Sequence, residues 1–123
     1  MSLDTTRTDP AYLIGRLFAA LEKTQSDVLP GIGSSVRDRF YSAASATPES
    51  VFPRLLRTYQ HHLAKLEGGR KVNREKLVQN ILDPLQAFPP QLGLPEQGAF
   101  TIGYYHQMRD FYTTKTNQPE ANE

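Results

Sequence analysis

The sequence predicts an all-α protein, a compact bundle of about five helices. Three observations carry this. Apolar residues recur at three- and four-residue spacing along almost the whole chain. No stretch shows the strict apolar–polar alternation of a half-buried strand. The breaks between periodic segments fall at proline and glycine clusters: LPGIGS (29–34), Gly68-Gly69 and FPPQLGLPE (88–96).

Residues 1–8 are expected to form a flexible arm. Asp9-Pro10 opens the first helix, with Asp as N-cap and Pro at the first helical position. Leu13, Ile14, Leu17, Phe18 and Leu21 follow at helical spacing and should bury one face. Gly15 and Ala19 lie four apart. They mark either a close approach by another helix or a chance pair of small residues. After the breaker, a shorter helix is expected from about residue 35 to Ala44. Thr47-Pro48 repeats the cap-and-proline signature. The helix it opens should run to about Glu67 and end at the two glycines. Pro53 inside it predicts either a bend or a start nearer Val51. A fourth helix is expected over about Lys71 to Ala87, with Leu77, Val78, Ile81, Leu82 and Leu85 inward and Pro84 kinking its last turn. Pro95 should open a fifth helix reaching about Thr114, with Phe100, Tyr104, Met108 and Phe111 on its core face. Residues 9–114 thus form one domain, and 115–123 read as a disordered tail.

The composition narrows the function. The chain has 123 residues, a net charge of +1 and no cysteine. Disulfides and cysteine-ligated zinc are therefore excluded. No apolar run approaches the ~20 residues of a membrane helix, and MSLDTTRTDP lacks a signal-peptide core. A cytoplasmic location fits. Charge is unevenly placed: residues 37–76 hold nine Lys/Arg against four Asp/Glu, while 77–123 hold two against five.

The basic third centres on FPRLLRTYQHHLAKLEGGRK (52–71). On a helical wheel with Arg54 at 0°, Arg57 falls at about 300°, His61 at about 340° and Lys65 at about 20°. Phe52, Leu55, Tyr59, Leu63 and Leu66 lie between about 100° and 180°. One face is apolar, and the opposite face carries a basic stripe about 16 Å long with no acid in it. Adjacent His61 and His62 diverge by about 100°, whereas helical metal pairs need i, i+4 spacing. No metal, cofactor or catalytic site is expected from them, and His62 is expected half-buried beside Tyr59 or Leu66. Like charges stacked along a helix disfavour it, so a compensating polyanion is the plainest partner. Arg70, Lys71 and Arg74 continue the run, and Arg37 and Arg39 are available from the second helix. On the fifth helix Tyr105, Arg109 and Tyr112 form a separate stripe at i, i+4, i+7. It suits base stacking, a protein interface or plain packing.

Three stretches, DPAYLIGRLFAALEKTQ, SSVRDRFYSAASATPESVFPRLLRTYQHHLAKLEGG and QGAFTIGYYHQMRDFY, together resemble a known family. They are similar, in collinear order over residues 9–114, to the C-terminal region of the large subunit of type I-C CRISPR Cascade complexes. With Met1 of its own, the chain resembles the separate small subunit that this family makes by internal translation of the large-subunit gene. The resemblance implies a non-enzymatic, prokaryotic helical subunit present in several copies. Its implied partners are the large and backbone subunits, other copies of itself and the guide-RNA ribonucleoprotein. It would brace the complex and hold the displaced non-target single-stranded DNA, so stabilising the R-loop, while guide pairing reads the target. Cleavage would belong to a separate nuclease-helicase. The alternative is a purely structural spacer whose arginines face acidic patches on neighbouring subunits.

Overall fold

The computed structural model describes residues 3–30 and 36–117. The glycine breaker at 31–34, the expected start of the second helix at 35 and residues 118–123 of the expected tail lie outside the described residues, while 115–117, expected in that tail, are helical. Five helices follow in order: α1 (Pro10–Val28), α2 (Val36–Ala46), α3 (Pro48–Leu63), α4 (Gly68–Leu82) and α5 (Leu94–Asn117). The described residues contain no strand, so the all-α expectation holds.

The chain starts α1 and α3 where the prolines predicted. Asp9 and Thr47 occupy the N-caps with Pro10 and Pro48 just inside. Neither cap side chain bonds the helix end. Asp9 turns instead to Arg7, at 2.8 Å, and Thr47 Oγ1 donates back to the Ala43 carbonyl at 3.2 Å. The proline-rich connection after α4 supplies what α3 lacks. Its Pro89 carbonyl accepts the Glu49 N–H at 3.1 Å, and its Leu92 N–H donates to Ala46 O at 2.9 Å. Phe88 of the same connection stacks on Phe52 at 5.0 Å, with the rings 8° from parallel. Pro53 lies inside α3 and does not delay its start.

The expected boundary between the third and fourth helices is corrected. α3 ends at Leu63, where Lys65 N–H bonds His62 O and Leu66 N–H bonds Leu63 O, each at 3.0 Å. This tightened turn buries Leu66. Gly68, at φ 60°, then reverses the chain. The two glycines open α4 rather than close α3. α4 ends at Leu82, short of the expected Ala87: Asp83 keeps helical φ/ψ and bonds Gln79 O, but Pro84 has no N–H with which to extend the helix.

α1 stands at the centre. Every residue from Ala11 to Leu21 is buried, on all sides of the helix rather than on the single face its spacing suggested. α5 covers one flank of α1, α3 and α4 also pack against it, and α2 bridges α3 to α5. Phe18 is the hub: its ring lies 5.7 Å from Tyr41, 6.4 Å from Phe52 and 5.9 Å from both Phe100 and Tyr104. Four helices thus meet on one aromatic side chain. The α1–α5 approach is close enough to require glycine twice. A Cβ on Gly15 would sit 2.0 Å from the Phe100 carbonyl oxygen, and one on Gly103 would sit 2.2 Å from that of Tyr12. The small residue at 15 is therefore a packing requirement.

Candidate nucleic-acid interface

α3 positions the basic face because Phe52, Leu55, Tyr59 and Leu63 are buried against the bundle. Arg54, Arg57 and His61 then point outward, and all three are exposed. Lys65 is exposed as well, but it lies in the turn after the helix rather than on the helical stripe. Arg70 is exposed and Lys71 half-buried at the start of α4, so the basic run crosses the turn. None of Arg54, Arg57, Lys65, Arg70 and Lys71 joins an ion pair among the described residues.

The structure removes Arg74 from the set. It is buried, with its guanidinium 2.7 Å from Asp27 and 2.8 Å from the Thr24 hydroxyl, over the Phe111 ring. Lys23 reaches the other Asp27 oxygen at 2.9 Å. Burial alone would raise the Asp27 pKa, but hydrogen bonds from Arg74 and Lys23 outweigh it and hold the carboxyl below its ordinary value. This cluster fastens α4 to α1. Arg74 reads as surface only if α4 is taken in isolation, since its ionic partner lies 47 residues away.

The two histidines separate as the wheel required. His61 is exposed, and His62 is 8% exposed, more enclosed than the expected half. Burial, then the charges of Lys65 and His61, push the His62 pKa down. His62 is therefore neutral and part of the core edge.

Arg37 belongs to a different surface from α3. Its guanidinium lies 5.6 Å from the Tyr41 ring and 5.7 Å from the Tyr104 ring, and it donates to the Tyr105 hydroxyl at 2.9 Å. Tyr104 beneath it donates to Glu22. Arg39 is exposed beside Phe40. On α5, Tyr105 and Tyr112 are half-exposed and Arg109 is exposed, so the expected stripe faces outward. Lys23 lies 5.3 Å from the Tyr112 ring. The stripe is longer than the sequence reading had it. Ile102 is 45% exposed and Leu94 82% exposed, both on the same line. The regular helical offsets of Leu94 and Ile102 from Tyr105 were the available signal, hidden because apolar residues on a helix are first assigned inward.

Between α3 and α4 a groove of about 330 Å³ opens outward, lined by Leu56, Tyr59, Leu63, Val78 and Leu82 together with the polar Arg57, Gln60, Glu75 and Gln79.

The model of the family of CRISPR-associated proteins named Cas_Csd1 matches residues 1–112. The chain belongs to that family. The match embraces α1 to α4, most of α5 and all of the basic face, and agrees with the resemblance seen in the sequence. It makes the protein a CRISPR-associated Cascade component. No curated protein matches it.

Proposed function

We propose that the chain is the small subunit of a type I-C Cascade and that α3 holds the displaced non-target single-stranded DNA, without enzymatic chemistry of its own. The observation that carries this is the exposed Arg54–Arg57–His61 face, which has no ion-pair partner among the described residues and is free of acids, continued by Lys65, Arg70 and Lys71. Side chains on a rigid helix anchored by four buried apolar residues present charge without a large ordering cost. Contacts of this kind track a backbone whatever its sequence, which suits a strand whose sequence is read elsewhere. Each phosphate neutralised steepens the fall of log K with log salt by ~0.7 for single strands.

The test is Arg54→Glu with Arg57→Glu in the assembled complex. Non-target-strand affinity should fall, and its salt dependence should become shallower. Unchanged affinity and slope, with assembly intact, would remove the DNA assignment.

A structural spacer is the second reading, favoured by a net charge of only +1 and by the outward apolar stripe on α5. Crosslinking of the displaced strand separates the two: adducts on peptides 54–76 support DNA contact, and adducts confined to other subunits support the spacer.

A further inference from the structure

The end of α5 and the turn between α3 and α4 meet at one end of the bundle. α1 and α5 run in the same direction: Tyr12 meets Gly103 and His106, Arg16 meets Gln107, and Lys23 lies over the Tyr112 ring. α5 therefore runs on past the end of α1. The α3–α4 turn stands at that end too, because Lys65, Leu66, Glu67 and Arg70 line one pocket of about 430 Å³ with Asp27 and Val28 of the last turn of α1. Arg74 ties the three helices together there, with its guanidinium 2.7 Å from Asp27 and 5.3 Å from the Phe111 ring.

The charges on the two sides match. Lys65 and Arg70 are exposed, Lys71 is half-buried, and none of them joins an ion pair among the described residues. Asp27 is already engaged by Lys23 and Arg74. The turn itself, residues 64–71, adds one acid, Glu67, so three cations against one acid leave +2. The segment that follows α5, QPEANE (118–123), holds Glu120 and Glu123 and no Lys or Arg, a charge of −2. Its reach is sufficient. α5 continues about 9 Å beyond Phe111 to Asn117, and Arg70 lies about 6 Å back along α4 from Arg74. Six extended residues span about 20 Å.

We infer that segment 118–123 folds back onto Lys65, Arg70 and Lys71, with Glu120 and Glu123 standing where the phosphates of a strand would stand. This rests on reading the basic run as a face for polyanions. The tether gives the two carboxylates an effective concentration of about 1 mM or more at the face, but exposed ion pairs are individually weak and are screened by salt. The segment is therefore a displaceable cover. It competes well with an isolated anion and yields to a strand that offers many phosphates at once. The cover makes occupation of the face depend on the length of the polyanion.

The chain has no cysteine, so Asn122→Cys takes a single nitroxide label on the full chain. The amide signals of Lys65 and of Gly69 to Lys71 should broaden at low salt and sharpen again in about 1 M salt, where the screening length is about 3 Å. They should stay sharp when the labelled chain also carries Glu120→Gln and Glu123→Gln. Without the label, the same two substitutions should tighten binding of an oligothymidylate of about 15 nucleotides roughly two- to tenfold at low salt. Broadening that is absent, that falls on other residues or that survives loss of the carboxylates overturns the inference. So does broadening of equal size when the isotope and the nitroxide are carried by different chains in a mixture, which would place the contact between copies. An unchanged affinity for the oligonucleotide overturns it as well. If neither chain binds the oligonucleotide, the strand-binding proposal falls, and the broadening by itself decides whether the segment docks.

Discussion

Gly15→Ala offers a direct test of the α1–α5 packing. The new methyl carbon would lie 2.0 Å from the Phe100 carbonyl oxygen and 2.9 Å from the Tyr104 amide nitrogen. Both obstacles are backbone, so no rotamer change relieves them. Ordinary contact begins near 3.4 Å, and the two helices must part by more than about 1 Å. A gap of that size forfeits roughly a quarter to a half of the dispersion attraction between facing atoms. Overpacking typically costs about 1–3 kcal/mol, and a rigid backbone obstacle belongs at the upper end. Alanine returns about 1 kcal/mol through helix propensity. The net loss is about 2 kcal/mol, a large share of the ~5–15 kcal/mol that holds a domain. With m of about 1–3 kcal/mol/M, the urea midpoint measured by far-UV circular dichroism should fall by roughly 1 M. The comparison is Gly98→Ala on α5, where nothing stands within 4 Å of the added carbon. That change should raise stability by up to about 1 kcal/mol. A Gly15→Ala protein as stable as its parent would refute the close approach.

Further outcomes follow from the same structure. Asp27 has a depressed pKa, so its contribution is complete above its ordinary value of 3.8 and lost as pH falls through the folded value. Asp27→Asn should flatten the acid limb of a urea-stability profile and cost about 3–5 kcal/mol at neutral pH, through the stranded Arg74; an unchanged profile would remove the cluster from the stability account. His62, also depressed by burial, contributes stability above its ordinary 6.5 that is lost as pH falls through its folded pKa. Its imidazole shifts in an NMR titration should accordingly move at lower pH than those of a histidine peptide. Tyr104→Phe removes the hydroxyl that donates to Glu22 and should cost about 1–3 kcal/mol; a smaller loss would show that water satisfies the carboxylate equally well.

Legibility differed between elements for physical reasons. Proline at the first helical position fixes φ locally, so the starts of α1 and α3 were readable at Asp9-Pro10 and Thr47-Pro48. The end of α3 was not, because it depends on burying Leu66, a tertiary event. The amphipathic wheel placed Arg54, Arg57 and His61 outward because one helix with one buried face settles their direction. It gave no account of Arg74, whose fate depends on Asp27 in the last turn of α1. Arg37 was likewise grouped by sequence neighbourhood with the basic third, whereas α2 delivers it to the tyrosines of α5. Gly103 escaped notice although an interior helical glycine costs about 1 kcal/mol relative to alanine; the missing side chain admits Tyr12.

The enclosure of α1 also governs how the chain is made. Its apolar residues leave the ribosome ahead of every helix that covers them, and α5, the cover of one flank, begins roughly 65 residues after α1 ends. At about 5–20 residues per second, the nascent chain waits about 3–13 s with Tyr12 and Phe18 lacking that cover. Native contacts of long sequence separation cannot reward the chain before then. Chains cut short ahead of Phe100 should be recognised as unfolded and cleared, and chaperone capture during translation should concentrate on the segment 11–21.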